Sequence, residues 1–157
     1  MSTRILVRAG VAALAAIGMV AAAPAAYAGG PTTTVTHQHG VTESFIDTGA
    51  TCSDDLYEIT VTYNGVLKES IFDDGRAHAT FTQTGTFTVT PIDAGQAGSG
   101  HFTIWGGFNA NGKTVNGTFT FNATGTNADG TRISTHGVDH FNVRPDGVEN
   151  AFSLCRD

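Results

Sequence analysis

Apolar and polar side chains alternate along most of the chain, from Val35 to Leu154. Between 57 and 63, for example, every odd residue is apolar and every even residue is polar. Period two with one apolar face is typical of half-buried antiparallel strands, because successive side chains of a strand point to opposite faces. The pattern predicts eight or nine strands, at about 33–46, 56–64, 66–73, 76–84, 86–92, 100–108, 114–124, 131–144 and 148–154.

Short turn signals separate these strands. Gly tolerates positive φ and Asn or Asp is next best, so such dipeptides suit tight hairpins. They occur at 64–65, 74–75, 111–112, 129–130 and 146–147, and we interpret Thr84-Gly85-Thr86 as a kink or bulge and 93–100 as a mobile loop.

Consecutive hairpins make a meander, and a meander of about eight strands exposes two edges unless it closes. We therefore predict an all-β fold, an antiparallel up-and-down β-barrel. A β-sandwich is the alternative, although its Greek-key crossings need longer connections than these turns provide.

Residues 1–28 have the pattern of a secretory signal peptide. Arg4 and Arg8 precede an uncharged apolar run at 9–23, and Ala26-Tyr27-Ala28 is the small-x-small pattern at which such peptides are cleaved. We expect residues 29–157 to form one secreted domain that has no membrane attachment after cleavage.

The composition after residue 28 favours strands. It contains 23 Thr and 10 Phe but only 3 Leu and no Met, which argues against a helical bundle. Two of the eight Lys and Arg lie in the signal, so 6 basic residues face 14 Asp and Glu and the net charge is −8. Nucleic acid and anionic membranes are therefore not expected partners.

Four stretches together resemble a group of small secreted proteins from actinobacteria. They are ATFTQTGTF (79–87), FTIWGGFN (102–109), VNGTFTF (115–121) and HFNVRPDG (140–147). That group has no assigned activity, so the resemblance implies origin and export and no catalytic residue. The expected architecture also resembles lipocalin-like and dirigent-like barrels, which bind or shape small apolar molecules, but the lipocalin Gly-x-Trp start is absent.

A histidine pair is the candidate metal site. The alternation places His37, His39 and Glu43 on one strand face, and two imidazoles with a carboxylate can hold zinc, iron or manganese. The spacing is similar to the first metal motif of cupins. The second cupin motif has Asn150 where its His belongs, so we expect no bound metal and no other cofactor.

Two carboxylates fall on the apolar face, Glu43 in the first strand and Asp139 in the strand at 131–144. An unpaired acidic group among core positions costs several kcal/mol, so each must pair with a buried donor, line a polar cavity or mark a bulge that shifts the alternation. Inward carboxylates near an inward His would form an acid/base cluster, but a structural hydrogen-bond network is our preferred interpretation.

Three hypotheses of function follow, and we assign no catalytic residue. In the first, a secreted barrel binds a small apolar molecule on the face that carries Phe81, Phe102, Phe119, Phe121 and Phe141. In the second, a fully packed barrel is a surface or interaction module that works through its loops and the outward Trp105. In the third, which we favour least, the protein is a metal- or carboxylate-dependent enzyme.

The two cysteines generate the first testable prediction. Cys52 and Cys155 are the only thiols of an exported chain, so we expect one intramolecular disulfide. It would close a loop of about 100 residues and stabilise the fold by roughly 4–5 kcal/mol in the chain-entropy model. Non-reducing peptide mass mapping should join the two cysteine peptides within one chain; free thiols or a Cys155-linked dimer would contradict this.

Overall fold

The structure, a computed structural model, describes residues 30–48, 55–111, 113–144 and 149–156. Within these ranges the chain forms one antiparallel sheet of seven strands whose order in the sheet is their order in the sequence. The strands are β1 Thr32–Asp47, β2 Tyr57–Ile71, β3 Ala77–Pro91, β4 Gly98–Ala110, β5 Val115–Asn127, β6 Arg132–Val143 and β7 Glu149–Arg156. The predicted all-β meander is thus confirmed. The described ranges contain no helix of the length and apolarity that a membrane span requires.

The strand number differs from the prediction because two expected boundaries do not exist. β2 continues through Asn64-Gly65, and β3 continues through Gly85 with no shift in its register against β2. Both glycines allow close approach instead of a turn. A Cβ on Gly65 would lie 2.8 Å from Cγ of Gln83, and a Cβ on Gly85 would overlap the carbonyl oxygen of Thr62.

β1 contains a β-bulge that the sequence did not reveal. Between the pairs Gln38–Gly65 and Val41–Tyr63, two residues of β1 lie opposite one residue of β2. Gly40 has a φ of 59° at this point, a left-handed conformation that other residues adopt at a cost. The extra residue reverses the alternation: even-numbered residues of β1 face one side before the bulge, and odd-numbered residues face that side after it.

Asn64 stabilises the bulge from the neighbouring strand. Its Oδ1 accepts a hydrogen bond of 2.9 Å from the backbone N–H of Gly40. The Asn-Gly dipeptide that predicted a hairpin is therefore one half of a bulge contact, with Asn64 facing outward and Gly65 facing inward.

One face of the sheet is concave and carries the core. Its buried centre packs side chains of strands that are not neighbours in the sheet: Tyr57 and Ile59 from β2, Phe87 and Val89 from β3, Ala123 from β5 and Ile133 from β6. Phe45, Val61 and Phe102 pack against this cluster. Contacts between β2 or β3 and β5 or β6 require a strongly coiled sheet, since a flat sheet would hold these strands far apart.

Glycines on the concave face permit this coiling. Gly98 and Gly100 of β4 and Gly125 of β5 lie level with the core cluster and contribute no side chain to it. The side chain of Ile133 fills the space over Gly98, where a Cβ would lie 2.8 Å from its Cδ1. Glycine kinks of this kind are how curved sheets and barrels turn their corners.

The β3–β4 loop covers the core end of the sheet. Ile92 donates its backbone N–H to the carbonyl of Leu56 at 2.9 Å, and Ala97 accepts one from Ala128 at 2.8 Å. Gly95 lies against the hydroxyl of Tyr57, with no room for a Cβ. The segment we expected to be a mobile loop is therefore tied to both neighbouring connections, and β4 already begins at Gly98.

Among the described residues the sheet is not closed. β1 pairs with β2 alone and β7 with β6 alone, so the predicted barrel closure is not confirmed. With seven antiparallel strands, β1 and β7 run in the same direction and end at the same end of the sheet. Cys155 lies near the end of β7, opposite Gly137, whereas Cys52, the expected signal peptide at 1–28 and the expected turn at 146–147 lie outside the described residues.

The close approach at Gly85 is testable by alanine substitution. Gly85→Ala places a Cβ against the backbone of β2, and we expect it to destabilise the fold by about 1–3 kcal/mol, as overpacking generally does. Gly30→Ala is the matched control, because nothing lies within 4 Å of a Cβ there. The measurement is urea unfolding of both variants; equal stability of the Gly85 variant and wild type would disprove the close contact.

Candidate functional site

Five phenylalanines line the concave face, as the alternation predicted. Phe81 is buried, at 6% exposure, whereas the other four are only half-buried: Phe102 in β4, Phe119 and Phe121 in β5 and Phe141 in β6. Apart from Phe102, which touches the core cluster, these rings lie beyond it, towards the opposite end of the sheet. The concave face therefore has a packed end and an aromatic end.

The rings of the aromatic end lie against the sheet backbone. A Cβ on Gly137 would overlap the ring of Phe121, and a Cβ on Gly117 would lie 2.6 Å from two ring carbons of Phe141. Each ring thus covers a glycine on the neighbouring strand, as aromatic side chains do when they replace a missing side chain in a sheet.

A polar cluster lies on the concave face between the two ends. The hydroxyl of Tyr63 donates a hydrogen bond of 3.1 Å to Oε1 of Glu43, and Nε2 of Gln83 donates one of 3.1 Å to Oε1 of Gln38. Tyr63 is 4% exposed, and the other three are half-buried. Gly65 makes the space for the two amides. Glu43 therefore faces inward and pairs with a buried donor, the Tyr63 hydroxyl, which is one of the alternatives that the sequence left open.

The electrostatics of this cluster act on Tyr63. Burial raises the pKa of Tyr63 above its ordinary value of 10.0, and the nearby Glu43 carboxylate raises it further. Hydrogen bonds from Gln83 and Gln38 act in the opposite direction. The phenol is thus held neutral as a donor to Glu43, which is a structural arrangement.

Asp139 also lies on the concave face. It is half-buried, directly opposite Phe119 of β5, and shares the face of Ile133 and Phe141 in β6. Within the described part of the chain, no side chain makes a hydrogen bond or ion pair with its carboxylate. Because Asp139 is only half-buried, its carboxylate keeps contact with water, which avoids much of the cost that full burial of an unpaired charge would carry.

The predicted grouping of His37 and His39 with Glu43 is wrong. The bulge at Gly40 reverses the alternation, so both imidazoles lie on the outer face, stacked with ring centroids 6.4 Å apart, while Glu43 lies on the concave face. Across the described residues, no group of three or more His, Cys, Asp or Glu is placed to hold a metal ion.

Trp105 lies on the outer face, as predicted. It is 40% exposed and stands between Thr82 of β3 and Thr120 of β5 in the middle of the sheet. Two exposed apolar residues, Val66 of β2 and Leu154 of β7, occupy the same row across the strands. The surrounding surface consists of cross-strand polar pairs such as Thr118–His140, Asn122–His136 and Thr42–Thr62.

Two members of the polar cluster were missed in the sequence. Gln83 was detectable, because it occupies the apolar phase between Phe81 and Phe87. Gln38 was not, because only the bulge brings an even-numbered residue of β1 to the concave face.

A scan against protein-family models found no match to this chain, and searches of the curated proteins and of the solved structures found no similar protein.

The raised pKa of Tyr63 predicts a loss of stability at alkaline pH. The folded state keeps a proton that the unfolded chain loses near pH 10.0, so this contribution is intact below that pH and is lost as the pH rises through the higher folded pKa. Near-ultraviolet titration should show a late-ionising phenol that is absent in Tyr63→Phe and ionises earlier in Glu43→Gln. Glu58→Gln, an exposed carboxylate on the outer face, is the control and should leave the titration unchanged.

Proposed function

We propose that the mature chain is an exported binding protein that holds a small apolar molecule on the aromatic end of its concave face. It would belong with the small secreted actinobacterial proteins that its sequence resembles. In this proposal the coiled sheet acts as a barrel, and a disulfide between Cys52 and Cys155 ties the connection after β1 to β7. The common direction of β1 and β7 supports that link, because it brings the C-terminal ends of these two strands to one end of the sheet.

One observation carries the proposal. The six side chains of the core cluster are at most 6% exposed, whereas Phe102, Phe119, Phe121 and Phe141 remain half-buried on the same face. Of the five phenylalanines, only Phe81 is as deeply buried as the core cluster. Apolar surface that a protein leaves partly exposed in a concavity is a common mark of a ligand site. Two of these rings, Phe121 and Phe141, lie over glycines of the neighbouring strands.

The polar cluster gives such a site a specific contact. Small-molecule sites are mostly apolar, with a few polar groups that orient the ligand. Glu43 uses one carboxylate oxygen for the Tyr63 hydroxyl, and Asp139 stands among the rings. Both carboxylates are acceptors, so they favour a ligand that carries a hydrogen-bond donor.

A second candidate function rests on the outer face. The row of Val66, Trp105 and Leu154 exposes apolar side chains of 39–40% accessibility across several strands. A central exposed Trp is the residue that most often anchors a protein partner. If this surface is the functional one, Trp105→Ala should abolish capture of an extracellular partner and leave binding on the concave face unchanged.

The two ends of the concave face should respond differently to truncation. We expect Phe87→Ala, in the packed cluster, to cost about 3–5 kcal/mol, from lost transfer free energy plus the cavity. Phe119→Ala and Phe121→Ala should cost only about 1–2 kcal/mol, because each ring has fewer partners to lose. Thr88→Ala, on the exposed face, should stay within about 0.5 kcal/mol.

The measurement is denaturant unfolding combined with binding of an apolar fluorescent dye to the native protein. Dye binding that is lost in Phe119→Ala and Phe121→Ala, but kept in Thr88→Ala, would support the binding site. Losses at Phe119 and Phe121 as large as at Phe87, with no dye binding, would instead indicate a filled interior and contradict the proposal.

A further inference from the structure

We propose that the ligand of the concave face is a cation: an apolar molecule that carries an ammonium or similar positively charged group. This inference rests on the proposed function and specifies the chemical class of its ligand. The charged side chains of the chain are divided unequally between the two faces of the sheet.

The concave face carries only negative charge among the described residues. Glu43 of β1, Glu69 of β2 and Asp139 of β6 all lie in the inward phase of their strands, and all three are half-buried. Asp47, at the packed end, also faces inward, but its carboxylate already accepts the N–H and hydroxyl of Thr48.

Every basic side chain after the signal lies elsewhere. The six Lys and Arg are all exposed, on the outer face or in the connections and chain ends: Lys68, Arg76, Lys113, Arg132, Arg144 and Arg156. Arg76, for instance, forms its ion pair with Asp74 within the β2–β3 turn, 2.7 Å away. No described basic residue is thus placed to neutralise the inward carboxylates. Lys68 shares β2 with Glu69 and Arg132 shares β6 with Asp139, but both basic side chains lie on the outer face.

Charge complementarity follows from this division. A half-buried carboxylate without a counterion attracts a cation more strongly than an exposed one does, because water screens it less. The face of an aromatic ring attracts a cation as well, and Asp139 stands directly opposite Phe119. An ammonium group in front of Phe119 would meet both attractions at once, whereas a carboxylate on the ligand would meet repulsion from Asp139 and from the net negative charge of this face.

The test uses three probes that share one apolar body: 4-phenylbutylammonium, 4-phenylbutanol and 4-phenylbutanoate. Calorimetric titration of the mature, oxidised protein should give an affinity for the ammonium about tenfold above that for the alcohol, with the carboxylate weakest. Glu43→Gln combined with Asp139→Asn should remove the preference, so that this variant binds the ammonium and the alcohol with equal affinity.

Glu58→Gln removes one exposed carboxylate from the outer face and should preserve the preference. The single variants Glu43→Gln and Asp139→Asn, checked by circular dichroism, each keep the test valid if the double variant does not fold. Alcohol binding with no preference for the ammonium, or a preference that survives neutralisation, would overturn this inference and leave the proposed function intact. Failure of all three probes to bind would overturn both.

Discussion

The fold depends on glycines at positions of the concave face where a side chain would not fit. Glycine occurs there on every strand from β2 to β6, and in most cases a Cβ would overlap a neighbouring strand or a ring. Coiling brings β2 and β3 close enough to β5 and β6 to form a shared core, which a flat sheet of seven strands cannot do. The cost is entropic, since glycine loses the most freedom on folding.

The alternation was sufficient to predict the sheet, the meander and the face of most side chains, because burial of one face acts on every second residue. Phe81, Phe119 and Trp105 lie where the pattern placed them. The errors arise at glycines, because glycine can form a turn or can make room for close packing between strands. Asn64-Gly65 has the composition of a turn, but Gly65 makes room for amides packed across the sheet, a long-range contact that local composition does not record.

Long-range contacts that local composition does not record also decide the arrangement of the candidate site. A single extra residue in β1 moves His37 and His39 to the outer face and brings Gln38 to the inner one. No local signal distinguishes this bulge, because its stabilising partner, Asn64, is 24 residues away. The weak candidate metal ligands are therefore separated by a bulge that depends on strand pairing, and the same bulge brings Gln38 into the polar cluster around Tyr63.

The two unpaired edges bear on how a ligand would enter. A meander with an even number of strands can close by one more antiparallel pairing, but seven strands leave β1 and β7 parallel. Parallel strand pairing is slightly less stable per residue than antiparallel pairing, so pairing β1 with β7 would gain less from hydrogen bonds.

The proposed disulfide would act at one end only, near the end of β7, and this end is also the one covered by the β3–β4 loop. Such a link would hold the packed end together while the edges beside the aromatic end stay free to separate. Access from that side would reach Phe119, Phe141 and Asp139 without disturbing the core cluster, so the proposed binding face is compatible with a stable fold.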